Sequence, residues 1–208
     1  AGTFDWANGK FPEFTEPSVG YHGLIYSEAL EAGAFIAKVR IEGLRDLGGA
    51  ISPFNAWQII QGLETLPLRM DRHSQNALEL AKWLQSKEEV VWVNYPGLEG
   101  NNYHDLAKEY LPKGQSGIVT FGVKGGYESA KKLVDSARVF SLVANIGDSK
   151  SLIIHPASTT HQQLKDEDQL STGVTKDLIR LSVGLEDILD LTADLEQAFT
   201  AIDKQVLA

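Results

Sequence analysis

Arg180 sits inside Leu-Ile-Arg-Leu-Ser-Val, a run that otherwise asks for burial. A guanidinium drawn into such a strand needs a partner of matching shape, and a carboxylate supplies one through two parallel hydrogen bonds. That carboxylate could belong to a bound ligand or to one of the chain's own acids; alternatively, the side chain points outward from an edge strand. The surrounding stretch is the densest in polar chemistry. It holds Asn145-Ile-Gly-Asp, then His155-Pro-Ala-Ser-Thr-Thr-His161, and closes on Gly184-Leu-Glu186. His155 and His161 lack a second His or acid at helical i, i+4 spacing in an apolar frame, so no metal site is expected. Hydrogen bonds to loop backbone suit them better. Ser158, Thr159 and Thr160 suit loop closure or the N-cap of a following helix. The chain carries neither a G-x-S-x-G elbow nor a G-x-x-x-x-G-K-[ST] phosphate loop. It has no cysteine, which removes thiolate metal sites, disulfides and cysteine nucleophiles.

Periodicity outlines the elements that must hold these residues. Leu30, Ala34, Ala37, Ile41 and Leu44 predict a helix over 27–47, stopped by Gly48-Gly49. Ser52-Pro53 opens a second helix with Phe54, Trp57, Ile60 and Leu63 as its stripe, and Pro67 kinks or restarts it. Ala77, Leu80, Ala81 and Leu84 carry a helix on to about residue 85. Short β-branched runs then predict strands over 90–95, 117–123, 139–143, 151–154 and 178–183. Helices are predicted over 103–111, 127–137 and 187–203. The pattern divides the chain into a helical part, 1–85, and an α/β part, 86–208, that could form a sheet covered by helices. Ahead of them, Phe4, Trp6, Phe11, Phe14, Tyr21 and Tyr26 lie on an irregular opening with Pro12 and Pro17. These rings pack either on the chain's own core or on something outside it.

A net charge of −9 and a pI of about 5.0 argue against nucleic acid or an anionic membrane as the main partner. No stretch approaches the roughly 18 apolar residues of a membrane helix.

Several motifs resemble the Cys/Met-metabolism family of pyridoxal-phosphate (PLP) enzymes. They are Ser52-Pro-Phe-Asn-Ala-Trp-Gln-Ile-Ile-Gln-Gly-Leu-Glu-Thr-Leu-Pro-Leu-Arg-Met70, Arg72-His73, Asn76-Ala77, His155-Pro-Ala-Ser-Thr-Thr-His161 and Ile179-Arg-Leu-Ser-Val-Gly-Leu-Glu186. The opening Gly2-Thr-Phe-Asp-Trp6, the segment from Phe11 to Leu24 and Leu44-Arg-Asp-Leu-Gly48 resemble its O-acetylhomoserine sulfhydrylase branch. The resemblance implies an α/β (α+β) fold: the C-terminal part of a fold-type-I PLP-dependent transferase. Residues 1–85 would be the remainder of the PLP-binding large domain and a connecting helix. Residues 86–208 would be a small domain, with a mostly antiparallel sheet, that closes over the substrate.

It further implies that Arg180 binds the substrate's α-carboxylate, with Asn145 where relatives carry a serine and Thr160 supporting. The implied reaction is γ-replacement of acetate by sulfide or a thiol, in a cytoplasmic homotetramer. A cystathionine γ-synthase, a γ-lyase or a methionine γ-lyase is the alternative within the family. A non-catalytic carboxylate- or protein-binding domain is the alternative outside it. In the family the lysine that carries PLP lies upstream of the segment matched here. Lys38, Lys82, Lys131 and Lys132 read as solvated helix faces. The 208 residues alone are therefore expected to bind no PLP and to be inert. Helix faces bearing Leu30, Ile41, Phe54 and Ile60 are expected to need self-association or an N-terminal half.

Overall fold

A computed structural model describes residues 2–202, in two compact units, Ala1–Gln61 and Gly62–Ala208. In the first, helices α1 (Pro12–Thr15), α2 (Tyr26–Leu30) and α3 (Ala34–Lys38) are short. Their centre is aromatic. Phe14, Tyr26 and Ala34 are buried, with Trp6, Phe11, Leu24 and Ile41 packed on them. Trp6 stacks on Phe14 at 4.0 Å between ring centroids. Much of the ring-rich opening thus covers a core of its own, and Ile41 belongs to that core rather than to an open face.

The single helix expected over 27–47 is interrupted. Glu31 takes φ 41°, ψ −118° and ends α2. The chain restarts after Gly33, then widens into π-helical turns over Val39–Asp46. Glycine at 33 and 43 gives weak helix propensity where a continuous rod would need it. Lys38 is also not a solvated lysine. Its side chain is 15% exposed, pairs with Glu42 at 2.7 Å and lies 4.7 Å over the Tyr26 ring.

Helix α4 (Pro53–Glu64) starts as expected, with Ser52 Oγ accepting the Asn55 N–H at 3.1 Å. It buries none of its residues, and Phe54, Trp57, Ile59, Ile60 and Leu63 are each more than half exposed. Helix α5 (Leu66–Gln85) restarts beside Pro67.

By packing, α5 belongs with the sheet of the second unit, so that unit begins well before the change of composition at residue 86. The sheet has five strands in the order β1-β2-β5-β4-β3. They are β1 (Val90–Asn94), β2 (Ile118–Val123), β3 (Ser141–Leu142), β4 (Leu152–Ile154) and β5 (Leu178–Ser182). Every pairing is antiparallel except β3 with β4. Alternation decides the faces. Val119, Phe121, Ile153, Ile179 and Leu181 enter the core. They meet α5, α7 (Gly126–Ser136) and α9 (Ile188–Phe199) through Ala77, Leu80, Ala81, Leu84, Leu133, Leu191 and Leu195. Helices α6 (His104–Tyr110) and α8 (Asp166–Ser171) complete the unit. The last helix, expected over 187–203, ends at Phe199 with Thr200 as its C-cap; residue 203 lies outside the described residues.

Strand β3 is shorter than the expected 139–143. The N–H groups of Arg138, Val139 and Phe140 donate to the buried Asp194 carboxylate at 2.8, 2.8 and 3.0 Å. Those groups are spent on α9 before a ladder can form.

Candidate carboxylate-binding site

Arg180 lies on β5, the middle strand of the sheet. Its register partners are Thr120 on β2 and Ile154 on β4, so the edge-strand reading does not hold. It points away from the helix-covered core, on the face it shares with Thr120 and Ser182, and it is half-buried. Its Nη2 donates to the main-chain carbonyl of Asn145 at 3.2 Å. Among the described residues no carboxylate lies within ion-pairing distance of it. The internal salt bridge is therefore not made, and the remaining donors of the fork stay available to a ligand.

The three expected site residues are not equivalent. Arg180 and Asn145 are brought together, but through the Asn145 backbone; the Asn145 Oδ1 accepts the N–H of Ile146 at 2.9 Å. Thr160 is exposed and its Oγ1 pairs with His161 Nδ1 at 2.8 Å. The structure gives it no hydrogen bond to Arg180. Residues 143–151 join β3 and β4, parallel neighbours, with no helix between. Parallel neighbours usually need a crossover of about a dozen residues or more, so this short link has to rise off the sheet. That rise presents the Asn145 carbonyl to Arg180.

A set of side chains with no role read from sequence fixes this link. Glu186 accepts the Ser151 N–H at 2.7 Å and the Ser151 hydroxyl at 2.8 Å. Ser151 Oγ in turn accepts the Gly184 N–H at 2.7 Å. A Cβ at Gly184 would stand 2.4 Å from Glu186 Oε2 and 2.5 Å from Ser149 O, so only glycine allows this approach. From α5, Asn76 Nδ2 donates to the carbonyls of Gly184 at 3.0 Å and Glu186 at 2.9 Å. His73 Nδ1 donates to Val183 O at 2.6 Å. Arg72-His73 and Asn76-Ala77 were visible as motif residues, but their partners lie more than a hundred positions away in sequence, beyond any local signal.

His155 is a structural histidine. It is 1% exposed; Nε2 donates to Lys176 O at 2.9 Å and Nδ1 accepts the Ser158 hydroxyl at 2.9 Å. Burial lowers its pKa below 6.5, with Lys176 and Lys131 adding to the fall and the Lys176 carbonyl and Asp177 opposing it. Between 6.5 and that lowered value the unfolded chain binds a proton that the folded chain does not. Stability from this group is therefore full above 6.5 and is lost as pH falls below it. Urea midpoints at pH 7.5 and 5.5 should differ more for the parent chain than for His155→Gln; equal differences would remove His155 from the account.

Among the described residues no three metal-ligating side chains converge, and no helix is long and apolar enough to cross a membrane.

Residues 19–200 match the Cys/Met metabolism PLP-dependent enzyme family. The chain belongs to that family. It is 57% identical to the O-acetyl-L-homoserine sulfhydrylase of Leptospira meyeri over 97% of its own length and 48% of that protein's. It is 50% identical to the homocysteine synthase of Schizosaccharomyces pombe, over 95% of this chain and 47% of that one. A crystal structure from Campylobacter jejuni, described as an O-acetylhomoserine (thiol)-lyase bearing a pyridoxyl-lysine phosphate, matches with a TM-score of 0.81 and 48% identity. The match covers 91% of this chain and 45% of that one. This member of the Cys/Met-metabolism family thus spans about half the length of the curated relatives it matches.

Among the described residues Lys38, Lys87 and Lys176 are each paired with an acid of the chain, Glu42, Glu196 and Asp166, whereas Arg180 is paired with none.

Proposed function

We propose that this chain supplies the carboxylate-holding part of an O-acetylhomoserine sulfhydrylase. That enzyme replaces the acetate on the γ-carbon of O-acetylhomoserine by sulfide or a thiol. The observation that carries the proposal is Arg180 on the middle strand, oriented by a carbonyl and unpaired by any described acid. The names of its relatives favour this reaction over the γ-synthase and γ-lyase alternatives. PLP, held by the rest of such an enzyme, supplies the electron sink. The part of this chain is to bind and orient. Arg180 takes the substrate carboxylate through two parallel hydrogen bonds, which fixes the amino acid's rotation about its own axis. The Asn145 carbonyl holds the guanidinium plane, and the Glu186–Ser151–Gly184 bonds hold the link that carries the carbonyl.

The exposed apolar residues of α4 support a location against the PLP-binding part. We place the assembled enzyme in the cytoplasm, as a homotetramer with two domains, the one formed by 86–208, with α5 packed on its sheet, closing over the substrate.

Joining this chain to the complementary half of the Leptospira meyeri relative tests the reading. The hybrid should bind PLP, with its visible absorption, and form homocysteine from O-acetylhomoserine and sulfide. The 208-residue chain alone should do neither. Turnover by the chain alone, or a hybrid that binds PLP yet leaves O-acetylhomoserine untouched, would refute it.

A further inference from the structure

Behind the site lies a small cavity of about 70 Å³, lined by Met70, His73, Ser116, Ile118, Gly147 and Ser182 among others. It separates α5 from the start of β2, the end of β5 and the turn at Ile146-Gly147. His73 is 2% exposed. Its Nδ1 must carry the hydrogen, because the Val183 carbonyl it meets at 2.6 Å can only accept. Its Nε2 is buried and has no hydrogen-bond partner among the described residues. A buried polar atom left without a partner is costly, and native proteins satisfy such atoms with protein groups or ordered water. Ser116 sits on the same wall with φ 81°. Its Oγ accepts the Ile118 N–H at 3.0 Å, leaving the hydroxyl hydrogen to donate. A water occupies about 30 Å³ in the liquid, so the space can hold water.

We propose that ordered water in this cavity joins His73 Nε2 to the Ile146-Gly147 turn, making His73 a positioning residue for the Arg180 guanidinium. The path is short. Water holds the turn, the turn is continuous with Asn145, and the Asn145 carbonyl accepts from Arg180 at 3.2 Å. The direct bond from Nδ1 to Val183 O secures the other side of the same cavity, where β5 ends. The inference rests on the reading of Arg180 as the carboxylate holder, but its test needs no turnover and no PLP.

Isotope-labelled full chain in solution should show a water cross-peak at the Gly147 amide, since the Ile146 N–H is already given to Asn145 Oδ1. The Arg180 Nη hydrogens should be resolved, as expected of a guanidinium held at one edge. His73→Phe fills the cavity without an acceptor. It should abolish the water cross-peak and merge the Arg180 Nη signals. His73→Gln returns a polar tip and should restore part of both. If His73→Phe fails to fold, the parent chain decides: an absent water cross-peak at the Gly147 amide overturns the proposal. So do Arg180 signals that stay resolved in a folded His73→Phe. The PLP-binding assay of the hybrid can fail while these signals hold, and the reverse, so the two readings fall separately.

Discussion

Arg180→Leu in the hybrid enzyme is expected to raise the KM for O-acetylhomoserine on the order of 100-fold. Truncating one partner of a close, partly desolvated charge pair costs about 2–5 kcal/mol, and each 1.4 kcal/mol is about tenfold. The guanidinium is half-buried on the middle strand, already oriented at one edge by the Asn145 carbonyl. Little ordering is left to oppose carboxylate binding, which places the cost inside that range. Arg180→Lys keeps the charge and loses the fork, so it should fall between, at about tenfold. Turnover at saturation should drop less than KM rises, because the residue holds a group that does not react. A leucine variant whose KM stays within about twofold of the parent would remove Arg180 from the substrate site.

The second large effect is on stability. Asp194→Ala is expected to cost about 3–5 kcal/mol, a large share of the roughly 5–15 kcal/mol that holds a domain folded. The Asp194 carboxylate is 4% exposed and accepts from the N–H groups of Arg138, Val139 and Phe140. It also accepts from Gln197 Nε2 at 3.1 Å. Alanine leaves backbone donors without acceptors inside the joint between α7 and β3. Asp190, exposed on the same helix, is the control. Urea unfolding should show Asp194→Ala far below Asp190→Ala, with Asp194→Asn between them. Coincident midpoints would mean that water or backbone rearrangement satisfies those donors.

The same carboxylate shows where sequence reading stops. β5 and α9 were legible because their apolar periods match their faces, and Arg180 stood out as the one charge in the β5 run. The beginning of β3 was not legible: Val139 and Phe140 look like strand residues, and the acid that takes their N–H groups lies more than fifty positions further on. The break at Glu31 was hidden for a related reason. Tyr26 before it and Ala34 after it both face one aromatic core, so the apolar pattern runs through the break. At the candidate site the residue types were legible and the atoms were not. Asn145 drew notice as a side chain in a serine's place, yet the contact uses its main-chain carbonyl. Thr160 stood in the right motif, yet bonds to its neighbour. The supports, Asn76, Glu186 and Ser151, act across long separations that no local pattern records.

The carbonyl at position 145 has a consequence for how this site can vary between organisms. Every amino acid carries that oxygen, so mutation of the codon can exchange the side chain without removing the acceptor. What inheritance must preserve is the number of residues between Leu142 and Leu152, which sets how far the link rises. A single insertion there should harm substrate recognition more than most substitutions at Asn145. Alignments scored by residue identity would miss the constraint; a census of gaps would find it.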